Sequence, residues 1–116
     1  MEFVLSDLFS ALPGRRFHLI GANLPYVSEE EYAVLPSEVR DFEPKGALVA
    51  SDGGLGLIRR AMEELPEHLL PGGGAISELS PEQAGEAAGI LRKNGLTPSI
   101  LRDLCGRERF VAGVMP

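Results

Sequence analysis

At 116 residues, with 44% hydrophobic and 24% charged side chains, the chain has the size and composition of one globular domain with a modest core, which argues against disorder. Its formal net charge of −6 argues against direct nucleic-acid binding, which rests on Lys and Arg neutralising phosphates, and leans toward a protein or small-molecule substrate. No apolar stretch approaches the roughly 20 residues that span a bilayer and no secretory signal opens the chain, so a cytoplasmic location is the default; a lone Cys105 excludes an internal disulfide.

In chain order, residues 2–5 form a β-type run, followed by Ser6-Asp7-Leu8-Phe9 and a turn at Pro13-Gly14. A second strand is predicted over Phe17–Ala22. The near-continuous apolar character of Phe3-Val4-Leu5 and Leu19-Ile20 suits parallel strands buried on both faces. Residues 27–51 read as an acidic loop punctuated by Pro36 and Pro44, long enough to suggest a substrate-facing lid. A helix over about 54–65 places Leu55, Ile58, Met62 and Leu65 on one stripe, and Pro66 should interrupt it.

Pro71-Gly72-Gly73-Gly74 reads as a tight connection into a third strand over 75–79. It is a poor phosphate loop, because it precedes a strand and no Lys-Ser/Thr follows. Ser80-Pro81-Glu82-Gln83 is a helix start, with Ser80 as N-cap, Pro81 at the first helical position and Gln83 closing a capping box. The helix should bury Ala84, Ala87, Ala88 and Leu91 and end at Asn94-Gly95. Strands over 99–102 and 109–115, joined through residues 103–108, complete an antiparallel pair. The order predicts the second half of a doubly wound α/β sheet whose ligand crevice lies at the carboxyl ends of its strands, near Asp7 and Asn23.

The most informative stretch is Asn23-Leu24-Pro25-Tyr26, directly behind the predicted strand Phe17–Ala22. An Asn side-chain oxygen can accept one N–H of a substrate amide or aromatic amine, and the backbone carbonyl of the next residue can accept the other. The Tyr ring can stack on the planar group. Such a turn suits methyl transfer to a planar nitrogen, although Asn and Pro are also ordinary turn residues. Neither Cys105 nor His18 and His68 stands in a metal-ligand spacing, so no metal is expected.

Taken together, these residues resemble the HemK-type release-factor glutamine methyltransferases, which use S-adenosyl-L-methionine on a Rossmann-like class I methyltransferase fold. The resemblance runs through Glu2-Phe3-Val4 and Asp7-Leu8-Phe9, Asn23-Leu24-Pro25-Tyr26-Val27, Phe42-Glu43-Pro44 with Ala47-Leu48, and Gly54-Leu55 with Arg59-Arg60. It continues through Leu70-Pro71-Gly72-Gly73, Glu78 with Gln83, and Asp103-Leu104 with Gly106-Arg107 and Arg109. It implies that Asn23 and the Leu24 carbonyl hold a substrate glutamine's side-chain amide, that Pro25 shapes the turn and Tyr26 packs on the amide. It also implies that Asp7, Leu8 and Asn23 contact the cofactor, and that the partner is a peptide chain release factor presenting a Gly-Gly-Gln loop. Glu78 occupies a family-like position with either a capping or a substrate-contact role, while Arg107 and Arg109 read as structural partners of Asp103 or Glu108.

There are departures from the family pattern. Leu24 stands where the family signature has proline, Ser80 replaces a strand glycine, and Ala50-Ser51 replaces a Gly-Gly pair. No Gly-x-Gly-x-Gly turn follows a strand, so residues 1–116 are expected to be the C-terminal part of a catalytic domain, inactive alone, without the glycine-loop half and the N-terminal helical domain. Asn-Leu-Pro-Tyr also resembles adenine amino-group methyltransferases of RNA or DNA. A non-catalytic remnant acting as a binding module is the remaining alternative.

Overall fold

The computed structural model describes residues 1–24 and 55–116. Expectations for Pro25, Tyr26, the segment 27–51 and the helix start at Gly54 lie outside the described residues.

The run Phe17–Ala22 forms strand β1, but its side chains alternate in burial. Ile20 packs against the core, whereas Leu19 is 74% exposed. The expectation of burial on both faces is therefore corrected: among the described residues only one face of this strand is covered by helices. Residues 2–5 are likewise not a strand, and Phe3 is 88% exposed. A strand needs a partner for its backbone groups and an apolar surface for its side chains, and no described residue supplies either here.

Helix α1 (Gly56–His68) buries the predicted stripe, with Leu55 at its N-cap and Ile58, Met62 and Leu65 inward. The predicted break at Pro66 does not occur, for the helix runs through it to His68. Tertiary contacts outweigh the local breaker. Arg16 Nη1 donates to the carbonyls of Pro66 and Leu69 at 3.1 Å each, and His68 is buried against the N-terminal turn.

Strand β2 (Leu69–Glu78) begins earlier than predicted and contains the glycine run. Its parallel pairing with β1 jumps from Phe17 opposite Leu69 to Leu19 opposite Gly74, so the chain bulges outward between Leu69 and Gly74. Gly72 supplies a positive φ of 78° for that excursion. Gly73 lies so close to the backbone that a Cβ would meet the carbonyl oxygens of Leu70, His18 and Phe17 at 2.9, 3.0 and 3.1 Å.

Half of the predicted capping box forms: the Ser80 N–H donates to Gln83 Oε1 at 3.0 Å, whereas the buried Ser80 hydroxyl has no hydrogen-bond partner and the Gln83 N–H donates to the Ser80 carbonyl at 3.0 Å. A short 3-10 turn (Pro81–Gln83) leads into helix α2 (Ala84–Lys93), which buries Ala84, Ala87, Ala88, Ile90 and Leu91. Gly95, at φ 90°, follows it. Strands β3 (Thr97–Arg102) and β4 (Glu108–Val114) pair antiparallel, and the sheet order is β1-β2-β4-β3, with β4 also antiparallel to β2.

Both helices pack on the face carrying Ile20, Ala75 and Val111, where a single core joins Ile58, Leu65, Leu69, Leu79 and Leu91. Alternate residues Leu19, Gly21, Ile76, Phe110 and Val114 face the other side, which no described helix covers. No described helix is long and apolar enough to cross a membrane.

Candidate functional site

The carboxyl ends of β1 and β2 and the start of β4 meet at one end of the sheet. Ala22 stands opposite Ser77 and Glu78 opposite Phe110, so the first residue beyond β1, Asn23, falls beside Glu78. A cleft of about 310 Å³ opens there on the uncovered face, lined by Gly21, Ala22, Asn23, Ile76, Glu78 and Phe110. Among the described lining residues, the polar side chains are those of Asn23 and Glu78. A separate apolar space between α1 and the sheet holds only about 30 Å³. That is about the volume of one water.

Asn23 is exposed, and its side chain makes no hydrogen bond with another described residue. Leu24 is half-buried and packs against the core, which fixes the chain just after Asn23. Pro25 and Tyr26 lie outside the described residues.

Glu78 is held in place. Arg109 Nη2 lies 3.6 Å from Glu78 Oε1, and Arg109 Nε lies 3.9 Å from Asp103 Oδ2. Asp103 is fixed in turn, because its Oδ1 accepts the N–H groups of Cys105 and Arg107 at 2.9 and 3.0 Å. Gly106, at φ 80°, lets the hairpin close. The stretch from Asp103 to Arg109 thus has a physical purpose: a rigid turn aims Arg109 at the end of β2. The expected Arg109 pairing with Asp103 is present, whereas Glu108 pairs with Arg102 at 3.7 Å.

Asp7 and Leu8 do not line the Asn23 cleft. Asp7 Oδ2 accepts from Arg60 Nη2 at 3.1 Å, which ties the N-terminal turn to α1, and Leu8 adopts a positive φ of 53°, uncommon for a branched side chain. Asp7 therefore sits at the head of a hydrogen-bonded turn and not at the end of a strand, as the sequence had suggested. Phe110 carried no motif signal; only its register opposite Glu78 reveals it as part of the cleft.

A release factor glutamine methyltransferase from Rhodopirellula baltica is 41% identical over 110 residues, covering 92% of this chain and 37% of the relative. One from Cereibacter sphaeroides is 40% identical over 117 residues, covering all of this chain and 42% of the relative. The chain is homologous to release factor glutamine methyltransferases. It spans about two-fifths of the length of these curated methyltransferases. A ribosomal protein uL3 glutamine methyltransferase from Bradyrhizobium diazoefficiens is 47% identical over 73 residues, 63% of this chain and 23% of the relative. The crystal structure of a release factor-specific protein-(glutamine-N5) methyltransferase from Alicyclobacillus acidocaldarius superposes with a TM-score of 0.57 at 25% identity, over 93% of this chain and 54% of that one. The α/β sheet closed by an antiparallel hairpin is accordingly the C-terminal half of a Rossmann-like methyltransferase fold. No family model matches the chain.

Proposed function

We propose that residues 1–116 are the amide-binding part of a methyltransferase catalytic domain. It transfers a methyl group from S-adenosyl-L-methionine to the side-chain amide of a glutamine in the Gly-Gly-Gln loop of a peptide chain release factor, in the cytoplasm. The observation that carries this reading is the exposed Asn23 carboxamide in a cleft at the carboxyl ends of two parallel strands, where open α/β sheets bind their ligands. Similarity to methyltransferases named for glutamine, over the whole chain, supports it.

The chemistry asks for alignment. An amide nitrogen is a weak nucleophile, so holding its lone pair toward the methyl carbon is the main task. In this reading Asn23 Oδ1 accepts one N–H of the amide and the Leu24 carbonyl accepts the second, and the resemblance gives Pro25 and Tyr26, outside the described residues, the roles of shaping the turn and packing on the amide. These acceptors also favour the positive charge that develops on the nitrogen. S-adenosyl-L-methionine, when bound, supplies the electrophilic methyl on its sulfonium. Among the described residues, Asp7, Leu8 and Asn23 would meet it: the Asp7 carboxylate is 66% exposed and engaged in a surface ion pair, which leaves lone pairs for an amine, and Leu8 beside it is half-buried.

The test is methyl-labelled S-adenosyl-L-methionine added to the natural gene product with a release factor. Label is expected on the glutamine of the Gly-Gly-Gln loop and is lost in Asn23→Ala. Label in RNA or DNA instead would move the reading to an adenine amine. A folded product that binds no cofactor in calorimetry would favour a non-catalytic binding module.

A further inference from the structure

The turn between β3 and β4 projects beyond the same end of the sheet as the Asn23 cleft. Glu78 stands opposite Phe110, and Phe110 opposite Leu101, so residues 103–107 lie past the carboxyl ends of β1 and β2. At the tip Leu104 is 107% exposed, as open to water as in an extended chain. We infer that this turn is a docking element for the substrate protein, Leu104 entering an apolar pocket of that protein and Arg107 meeting an acidic side chain at the pocket's rim. This rests on the amide-binding reading of the neighbouring cleft and adds a contact outside the methylated residue.

Three observations carry the inference. First, the turn is held rigid although Leu104 is left in solvent. The Asp103 N–H donates to the Arg107 carbonyl at 2.8 Å, the Gly106 N–H to the Asp103 carbonyl at 3.0 Å, and Arg102 Nη1 to the Gly106 carbonyl at 3.0 Å. An apolar side chain on an already ordered backbone loses little further freedom when a partner buries it. Second, apolar surface runs from the cleft toward the tip. Phe110 lines the cleft, and Leu101, across from it on the face that no described helix covers, is 42% exposed. A protein whose glutamine occupies the cleft can extend over Leu101 to reach Leu104. Third, the charges favour an acidic partner. Arg102 is paired with Glu108, and Arg109 with Glu78 and Asp103, whereas the Arg107 guanidinium bonds no other described residue. Glu82 lines the space beside Arg107 without an ion pair to it. In a chain of net charge −6, an exposed arginine near an exposed leucine steers acidic, apolar surface to this turn. Pairing of the turn with itself in a symmetric dimer would instead set Arg107 against its own copy.

The experiment compares two probes on the natural gene product: a release factor, and acetyl-Gly-Gly-Gln-amide, which carries the glutamine alone. The turn lies roughly 13 Å beyond Phe110, at about 3.3 Å per residue, so the tripeptide ends short of it. Calorimetry measures both affinities, with melting curves beside them. Leu104→Ser and Arg107→Gln should each weaken release-factor binding about fivefold or more, leave the tripeptide's affinity unchanged and keep the parent's melting temperature. Rising salt should weaken the parent complex more than that of Arg107→Gln. The inference is overturned if Leu104→Ser binds the release factor as the parent does, or if it loses the tripeptide equally. It is also overturned if the substitution alters only self-association in light scattering, which would make a second copy the occupant. Asn23→Ala should weaken both probes. If it weakens neither, the amide-binding reading fails and this inference with it, whereas a loss at Asn23 without a loss at Leu104 leaves that reading standing and removes only the docking turn. A release factor that does not bind the parent overturns both.

Discussion

The imidazole of His68 stacks on the ring of Phe9, centroids 4.3 Å apart and planes inclined by 12°, and so closes the N-terminal turn against the end of α1. His68 Nδ1 also lies 2.9 Å from the Arg15 carbonyl oxygen, to which an Nδ1–H donates, while the neighbouring Arg16 donates to the carbonyls of Pro66 and Leu69. These contacts hold the helix end that Pro66 would otherwise loosen. His68→Ala should therefore lower stability by about 1–3 kcal/mol, since it removes a buried aromatic contact and a hydrogen bond together. Urea unfolding followed by circular dichroism checks this, and an unchanged midpoint would show that the turn holds without the stack.

The glycines of the sheet divide into two kinds. At Gly73 an added Cβ would press on three backbone oxygens at 2.9 to 3.1 Å, none of which can rotate away. At Gly21 it would meet no described atom within 4 Å. Gly73→Ala should thus cost about 1–3 kcal/mol by overpacking, and Gly21→Ala should change stability by less than about 0.5 kcal/mol. Thermal melts of the two variants side by side give the comparison, and equal melting temperatures would mean the bulge at Gly73 relaxes freely.

Much of this architecture was legible in the sequence because local signals and tertiary packing agree there. Ser80-Pro81-Glu82-Gln83 starts a helical turn, the stripe from Leu55 to Leu65 is buried, and Asn94-Gly95 ends α2, each from side-chain chemistry within a few residues. The misreadings share one cause: they depended on what lies across space. Residues 2–5 have strand composition but no partner strand among the described residues, Leu19 sits on a face that no described helix covers, and Pro66 is retained in α1 by Arg16 from far along the chain. The same holds for the site. Asn23 announced itself by its neighbours in sequence, whereas Phe110 entered only through strand register, and the clamp on Glu78 only through the fold of the hairpin.

Leu19 offers a test of the uncovered face. A leucine 74% exposed in a strand contributes little core packing, yet together with Val114 and Leu101 it builds an apolar surface that invites self-association. Leu19→Lys should leave the unfolding midpoint close to that of the parent chain while reducing aggregation. Light scattering at rising protein concentration provides the readout. A marked loss of stability in this variant would mean that the face is covered in solution.

Substitution of Asn23 separates stability from activity. Its side chain is exposed and bonds no other described residue, so truncation leaves no buried donor or acceptor unsatisfied, and Asn23→Ala should shift stability by less than about 0.5 kcal/mol. If the carboxamide holds the acceptor amide in the transferring geometry, the same change removes an oriented acceptor at the reacting nitrogen. Methyl transfer to glutamine should then fall about 100-fold or more, as for loss of one preorganised group at a reacting centre. The loss should appear in kcat as well as KM, because charge develops on the nitrogen only as the methyl arrives. Labelled-methyl incorporation by the natural gene product, measured beside its melting curve, decides the matter. Activity that survives the substitution would remove Asn23 from the chemistry, and activity that falls only in step with melting temperature would reduce it to a structural turn residue.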